Sequence, residues 1–150
     1  SDIEKGKSLK DKSGWELPTM DILSCIANLK VSYNVATIGF CYGGSLSWRA
    51  ACLAYGLDAS VCFYGSQISS FLDKSPRCPT LVHLAENDPT INKEDQNKII
   101  KFSKDKKPAI TIHNYKNVDH GFFCDKRESF DKESRDLAYK KTIEFLKDSL

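Results

Sequence analysis

With 150 residues, the chain falls in the size range of one domain and can bury roughly two thirds of its unfolded surface without a disulfide or metal staple. Charged residues make up 28% and the formal net charge is +2, too small a bias to select a nucleic acid or a membrane surface as partner. No apolar run approaches the roughly eighteen residues of a membrane-spanning helix.

Residues Ser1 to Gly14 are charged and small, carry no apolar period, and read as a flexible lead-in or surface loop. From about Glu16 to Lys30, Leu17, Met20, Ile22, Leu23, Ile26, Ala27 and Leu29 recur at helical spacing, with Pro18 tolerated in the first turn. The β-rich run from Val35 then ends in Gly39-Phe40-Cys41-Tyr42-Gly43-Gly44 and turns helical. Leu46 to Tyr55 reads as a small-residue helix closed by Gly56, and Ala59 to Tyr64 as the next strand. A short apolar turn, Ile68 to Leu72, precedes Thr80 to Ala85, whose near-continuous apolar run suits a strand buried on both faces of a parallel sheet. A charged amphipathic helix is predicted over about Asn92 to Lys104, and a strand over Ala109 to Tyr115. A loop, Lys116 to Lys132, and a final helix, about Glu133 to Leu150, complete the chain.

This alternation, four strands and four helices, predicts an α/β fold with a parallel sheet covered on both faces. In such sheets the active groups lie on loops beyond the carboxyl ends of the strands. Three of those loops carry reactive side chains: Cys41, Asp88 and His120.

The G-x-C-x-G-G pattern around Cys41 is that of a nucleophile elbow, a strained strand-to-helix turn that lifts one side chain toward solvent. Gly39 and Gly43 are expected to spare the Cβ atoms that would collide where strand and helix approach. Unpaired N–H groups of the helix opened by Gly44 and Ser45 favour a negatively charged nucleophile at Cys41. His120 is then the base, and Asp88 orients the imidazole and offsets its charge. The chain order nucleophile, acid, histidine is the α/β-hydrolase order. Taken alone, Asp88 in E-N-D-P would read as a turn former. His83 and His113 lie inside strands and read as core or sheet-face residues. The remaining cysteines, Cys25, Cys52, Cys62, Cys78 and Cys124, are irregularly spaced and read as buried thiols. No C-x-x-C or Cys/His cluster at metal spacing occurs, so neither a metal nor a cofactor is expected, and the thiols suggest a reducing, cytoplasmic setting.

The G-F-C-Y-G-G elbow, the TLVHLAENDPTI strand and turn, the V-D-H-G-F segment and the closing helix together resemble the dienelactone hydrolase family across nearly the whole chain. The resemblance implies one domain over residues 1–150 with the α/β-hydrolase fold. It implies an enzyme that cleaves a small-molecule ester or lactone through a thioester on Cys41, with His120 as base and acid and Asp88 as the orienting carboxylate. The backbone N–H of Tyr42 would be an oxyanion donor, and Tyr64, Phe122 and Phe123 match positions near the family's pocket.

Two departures accompany the resemblance. Family members carry an earlier part with about three strands, a second oxyanion donor and an acidic residue near the thiol, so this chain is expected to be the C-terminal portion of a longer enzyme. Its sheet should then expose an edge able to pair with another copy. A family arginine that holds the substrate carboxylate falls at Cys124 here; Lys126 and Arg127 lie nearby but read as solvated loop charges. Two other functions compete. In a class I glutamine amidotransferase the acid lies two residues past the histidine, where this chain has Phe122; a non-catalytic thiol-bearing binding or redox module would keep the fold without turnover.

Overall fold

The computed structural model describes residues 2–150. Its centre is a four-stranded parallel sheet in the order β1-β2-β3-β4, built from β1 (Ala36–Phe40), β2 (Ala59–Phe63), β3 (Thr80–Ala85) and β4 (Ile110–Tyr115). Strand order follows chain order because each crossover returns the chain to the neighbouring position. Every residue of β2 and β3 is buried, as their mostly apolar sequences suit in a sheet covered on both faces.

Register decides which side chain faces which helix. Ser60 and Cys62 face α3 (Tyr42–Leu53), where the Ser47, Ser60 and Thr37 hydroxyls form a small hydrogen-bonded cluster. Phe63 pairs in register with His83 and stacks on it, on the opposite face covered by α5 (Lys132–Ser149). Trp48 of α3 meets Phe102 of α4 (Lys93–Ser103), and together with Ile68, Leu81, Leu84 and Ile99 they form the larger core. Phe102 is only half-buried; each of the fully buried side chains contributes about 1.5–3 kcal/mol. The starts of α4 and α5 are capped: Asn92 accepts from the Asp95 N–H and Asp131 from the Ser134 N–H, which satisfies donors the first turn leaves free.

The lead-in is not flexible chain. Residues Asp2–Ser13 form α1, with Asp2 and Glu4 in the first turn, Lys10 and Lys12 in the last, and Gly14 at φ +61° closing it through an N–H bond to Lys10. These charges complement the helix dipole, a stabilisation that needs no apolar period. Helix α2 (Glu16–Leu29) follows and packs on α3, joined by Arg49, which donates to Thr19 and Glu16. Helix α3 begins four residues before the apolar pattern indicates and ends at Leu53; Ala54 is its cap, and Gly56, at φ +82°, turns the chain toward β2.

One flank of the sheet is open. Ile38 and Phe40 of β1, in register with Val61 and Phe63, lie on the α5 face but beyond its cover, and are 50% and 41% exposed.

Candidate active site

β1 delivers Cys41 into a turn with φ +52° and ψ −117°, a conformation costing about 1–3 kcal/mol for a non-glycine residue. The turn is held by its own bonds: the Cys41 N–H donates to Phe63, and the Cys41 carbonyl accepts from Gly44 and Ser45. A Cβ on Gly39 would sit 1.9 Å from the Gly43 carbonyl oxygen, and one on Gly44 2.4 Å from that of Phe63. Gly65 is crowded in the same way, 2.6 Å from the Ser45 nitrogen, whereas a Cβ on Gly43 meets nothing within 4 Å. The close approach therefore rests on Gly39, Gly44 and Gly65, and not on Gly43, whose side-chain direction points away from the strand. Because α3 starts at Tyr42, Cys41 is its N-cap residue, and the first-turn amides of Tyr42 and Gly43 have no carbonyl partner within the helix.

Asp88 follows β3 in a turn anchored to β4, where the N–H groups of Glu86 and Asn87 donate to Tyr115 and Val118. Its side chain is fully enclosed. Oδ1 accepts from both the N–H and the hydroxyl of Thr90, each at 2.7 Å. Oδ2 accepts from Nδ1 of His120 at 2.7 Å. Burial alone would raise this carboxyl's pKa, but the bonds from His120 and Thr90 outweigh it and hold it below the usual range.

His120 lies in the loop between β4 and α5, its carbonyl accepting from the Ser129 hydroxyl and its successor Gly121 at φ +84°. Its Nε2 stands 3.1 Å from the Cys41 sulfur. Burial pulls the imidazole pKa down, but the Asp88 hydrogen bond and the Cys41 contact push it up to about 9. The line sulfur, imidazole, carboxylate can thus pass a proton between Cys41 and His120 while Asp88 fixes the tautomer.

The cavity above the sulfur has a volume of about 370 Å³ and is lined by Phe40, Cys41, Tyr64, Phe123, Cys124 and Arg127. Phe122 does not line it: fully buried, it packs edge-on against Tyr64 and tilts against Tyr115, bracing the wall from behind. Arg127, expected as a solvated loop charge, is exposed yet also forms part of the rim, its side chain lying over Gly121. Lys126 is exposed and does not line the cavity.

Sequence reasoning missed Thr90, although D-P-T is a turn in which a hydroxyl two residues on reaches the aspartate. It also missed Phe40, whose place one residue before the nucleophile puts it on the rim. His83 is fully buried and bonds Tyr115 through Nδ1 and Thr142 through Nε2, which removes it from the site. Of the other thiols, Cys52, Cys62 and Cys78 are buried, but Cys25 is exposed on α2 and Cys124 is half-buried. Among the described residues, no three His, Cys, Asp or Glu side chains are arranged to hold a metal ion, and no helix is long and apolar enough to cross a membrane.

Comparison with known proteins bears on the family and the fold. The model of the dienelactone hydrolase family matches residues 11–150. A Synechocystis protein provisionally named a carboxymethylenebutenolidase is 28% identical over 99% of this chain and 66% of its own length. A carboxymethylenebutenolidase of a Pseudomonas species is 29% identical over 76% of this chain and 48% of its own. The chain therefore spans between about half and two thirds of the length of these relatives. Among solved structures, a dienelactone hydrolase-like promiscuous phosphotriesterase from metagenomic libraries superposes with a TM-score of 0.74 at 17% identity, over 96% of this chain and 65% of that one, a likeness of fold. A four-stranded parallel sheet with a cysteine elbow, matched by the family model over all but the first ten residues, has one reading: the chain belongs to the dienelactone hydrolase family.

Proposed function

We propose that this chain is the catalytic part of an ester or lactone hydrolase working by acyl transfer through Cys41. The observation that carries the reading is the unbroken line of contacts, 3.1 Å from sulfur to Nε2 and 2.7 Å from Nδ1 to Oδ2, among residues from three separate loops. His120 takes the thiol proton and the sulfur attacks the carbonyl carbon. The oxyanion is met by the Tyr42 N–H, and His120 returns the proton to the departing alcohol. A water deprotonated by His120 then cleaves the thioester and releases the acid. Asp88 keeps Nδ1 protonated throughout, so that Nε2 is the atom that exchanges protons.

Tyr64 and Phe123 would contact the substrate directly, and Phe122 would support Tyr64 from behind. Arg127 at the rim favours a substrate with a negative substituent. A glutamine amidotransferase is disfavoured because the position two past the histidine is a buried phenylalanine and the acid comes from another loop. We read the setting as cytoplasmic, on the strength of three buried thiols free of disulfides.

The test is hydrolysis of short aryl esters and a simple lactone by the wild type and by Cys41→Ala. Hydrolysis that disappears with the sulfur supports the reading, and equal rates would remove it.

A further inference from the structure

Charge is placed unevenly along the chain. Residues 98–107 hold five lysines, Lys98, Lys101, Lys104, Lys106 and Lys107, against one acid, Asp105, so ten residues carry +4 and the other 140 carry −2. Lys98, Lys101 and Lys104 recur at intervals of three along the end of α4, a spacing that gathers like charges on one face. Attraction to the carboxyl end of the helix dipole accounts for Lys101 in the last turn, but not for Lys106 and Lys107 beyond it. Lys98 is paired with Glu94 at 2.9 Å and Asp95 at 3.4 Å. Among the described residues, Lys101, Lys104, Lys106 and Lys107 form no ion pair.

These ammonium groups border a depression. A cavity of about 420 Å³ is lined by Leu72, Lys98, Lys101, Phe102, Lys104 and Lys106, a volume within the range of small-ligand clefts. Leu72 and Phe102 are half-buried against the core, Phe102 edge-on to Trp48, and give the cavity an apolar lining. Lys106 is half-buried with its ammonium 4.2 Å from the centre of the Phe102 ring, a cation held over the apolar lining. The depression is separate from the acyl cavity. Helix α4 starts beyond the carboxyl end of β3, where Asp88 lies, and the turn after it enters the amino end of β4, so the lysines gather at the opposite end of the sheet.

We propose that this lysine-bordered depression is the docking site for an acidic peptide segment of another protein, a run of carboxylates around one aliphatic or aromatic side chain. The apolar side chain rests on Leu72 and Phe102, and the flanking carboxylates meet Lys101, Lys104 and Lys106. Charge complementarity and shape both select this occupant. A membrane or a nucleic-acid duplex would face a whole side of the molecule, and the chain outside this patch is net negative. A short peptide meets the patch alone and fills a concavity that a flat lipid surface would leave empty.

The experiment titrates the 15N-labelled 150-residue chain with a seven-residue peptide of six glutamates around a central leucine. Amide resonances of residues 98–107 and of Leu72 should shift, and those of Cys41 and His120 should not. Binding should weaken as salt rises. Replacing the central leucine by glycine should weaken it about tenfold, a comparison made on the unaltered protein. The exposed-rim variant Lys101→Gln/Lys104→Gln/Lys106→Gln should lose about the same factor and keep the wild-type thermal midpoint within a few degrees. No shifts at millimolar peptide, shifts scattered over the surface, or equal binding by the glycine peptide or by the variant would overturn the assignment. Phosphatidylserine vesicles or a DNA duplex moving the same resonances at a lower concentration of charge would give the patch to a membrane or a nucleic acid, and would overturn it equally.

Discussion

One oxygen of Asp88 is committed entirely to Thr90, accepting its N–H and its hydroxyl at 2.7 Å each, and the other oxygen is thereby left for His120. The Thr90 oxygen also lies 3.1 Å from His120 Nδ1, so it touches both members of the acid–imidazole pair. Thr90 is a positioning residue: it fixes the carboxylate plane and keeps Oδ2 aimed at the ring.

Thr90→Val, nearly isosteric but without the hydroxyl, should lower kcat about fivefold with KM little changed, in keeping with the loss of about 1 kcal/mol of hydrogen bonding. Thr90→Ser should restore most of the rate. A Thr90→Val enzyme as fast as wild type, or one whose defect Ser cannot repair, would show that the hydroxyl does not set the geometry.

The pH profile tests the His120–Asp88 bond. With the imidazole held near 9, activity should persist through neutral pH and fall as pH rises through about 9, where His120 loses the proton it must give to the leaving group. Asp88→Asn removes the principal group that raises this pKa, so the alkaline limb should move to lower pH and kcat should drop. The stability linkage has the same direction. The folded-state pKa lies above the unfolded value of 6.5, so the contribution of His120 is complete below about pH 6.5 and is lost as pH rises through about 9. Asp88 works at the other end: its contribution is present above its unfolded value of 3.8 and disappears as pH falls through the lower folded value.

His83 behaves oppositely to His120. Burial, with His113 and Lys141 in support, lowers its pKa to about 3, so the folded protein keeps it neutral while the unfolded chain binds a proton below about pH 6.5. Stability should therefore decline from about pH 6.5 toward 3, and the His83 ring resonances should stay at their neutral positions until the protein unfolds. A ring that titrates near pH 6 in the folded state would contradict its enclosure by Tyr115 and Thr142.

Glycine substitutions separate close approach from mere proximity to the elbow. Gly39→Ala forces a methyl against a backbone oxygen and should cost at least about 3 kcal/mol in urea unfolding, with loss of activity. Gly43→Ala has open space in the first turn of α3 and should be neutral or stabilising by up to about 1 kcal/mol. Equal costs at the two positions would mean that the turn relaxes in solution.

The free edge of β1 makes an association prediction. Its outward backbone groups are unpaired by any strand of the described sheet, and Ile38 and Phe40 present apolar surface beside them. The 150-residue chain should self-associate at high concentration, and Ile38→Lys should suppress this. A wild-type chain that remains a monomer by light scattering would count against pairing through this edge.

Alternating period and punctuation made the sheet legible from the residues: Thr80 to Ala85 is a strand over the range its near-continuous apolar run marks, because a strand buried on both faces is mostly apolar and its one histidine is hydrogen-bonded through both ring nitrogens. Helix α1 was hidden, since its support is charge against dipole and leaves no apolar stripe to count. At the site, residue types and their order after successive strands pointed to Cys41, Asp88 and His120, but these lie 79 and 32 positions apart along the chain, and distances of 3.1 and 2.7 Å exist only once β1, β3 and β4 are in register. Packing across the sheet likewise decided that Gly65, far from the elbow in sequence, has to be a glycine. It also turned Phe122 into the core and left Phe123 and Tyr64 lining the cavity with Cys41. Local pattern reports which side of an element is apolar; only the assembled sheet decides what each polar atom meets there.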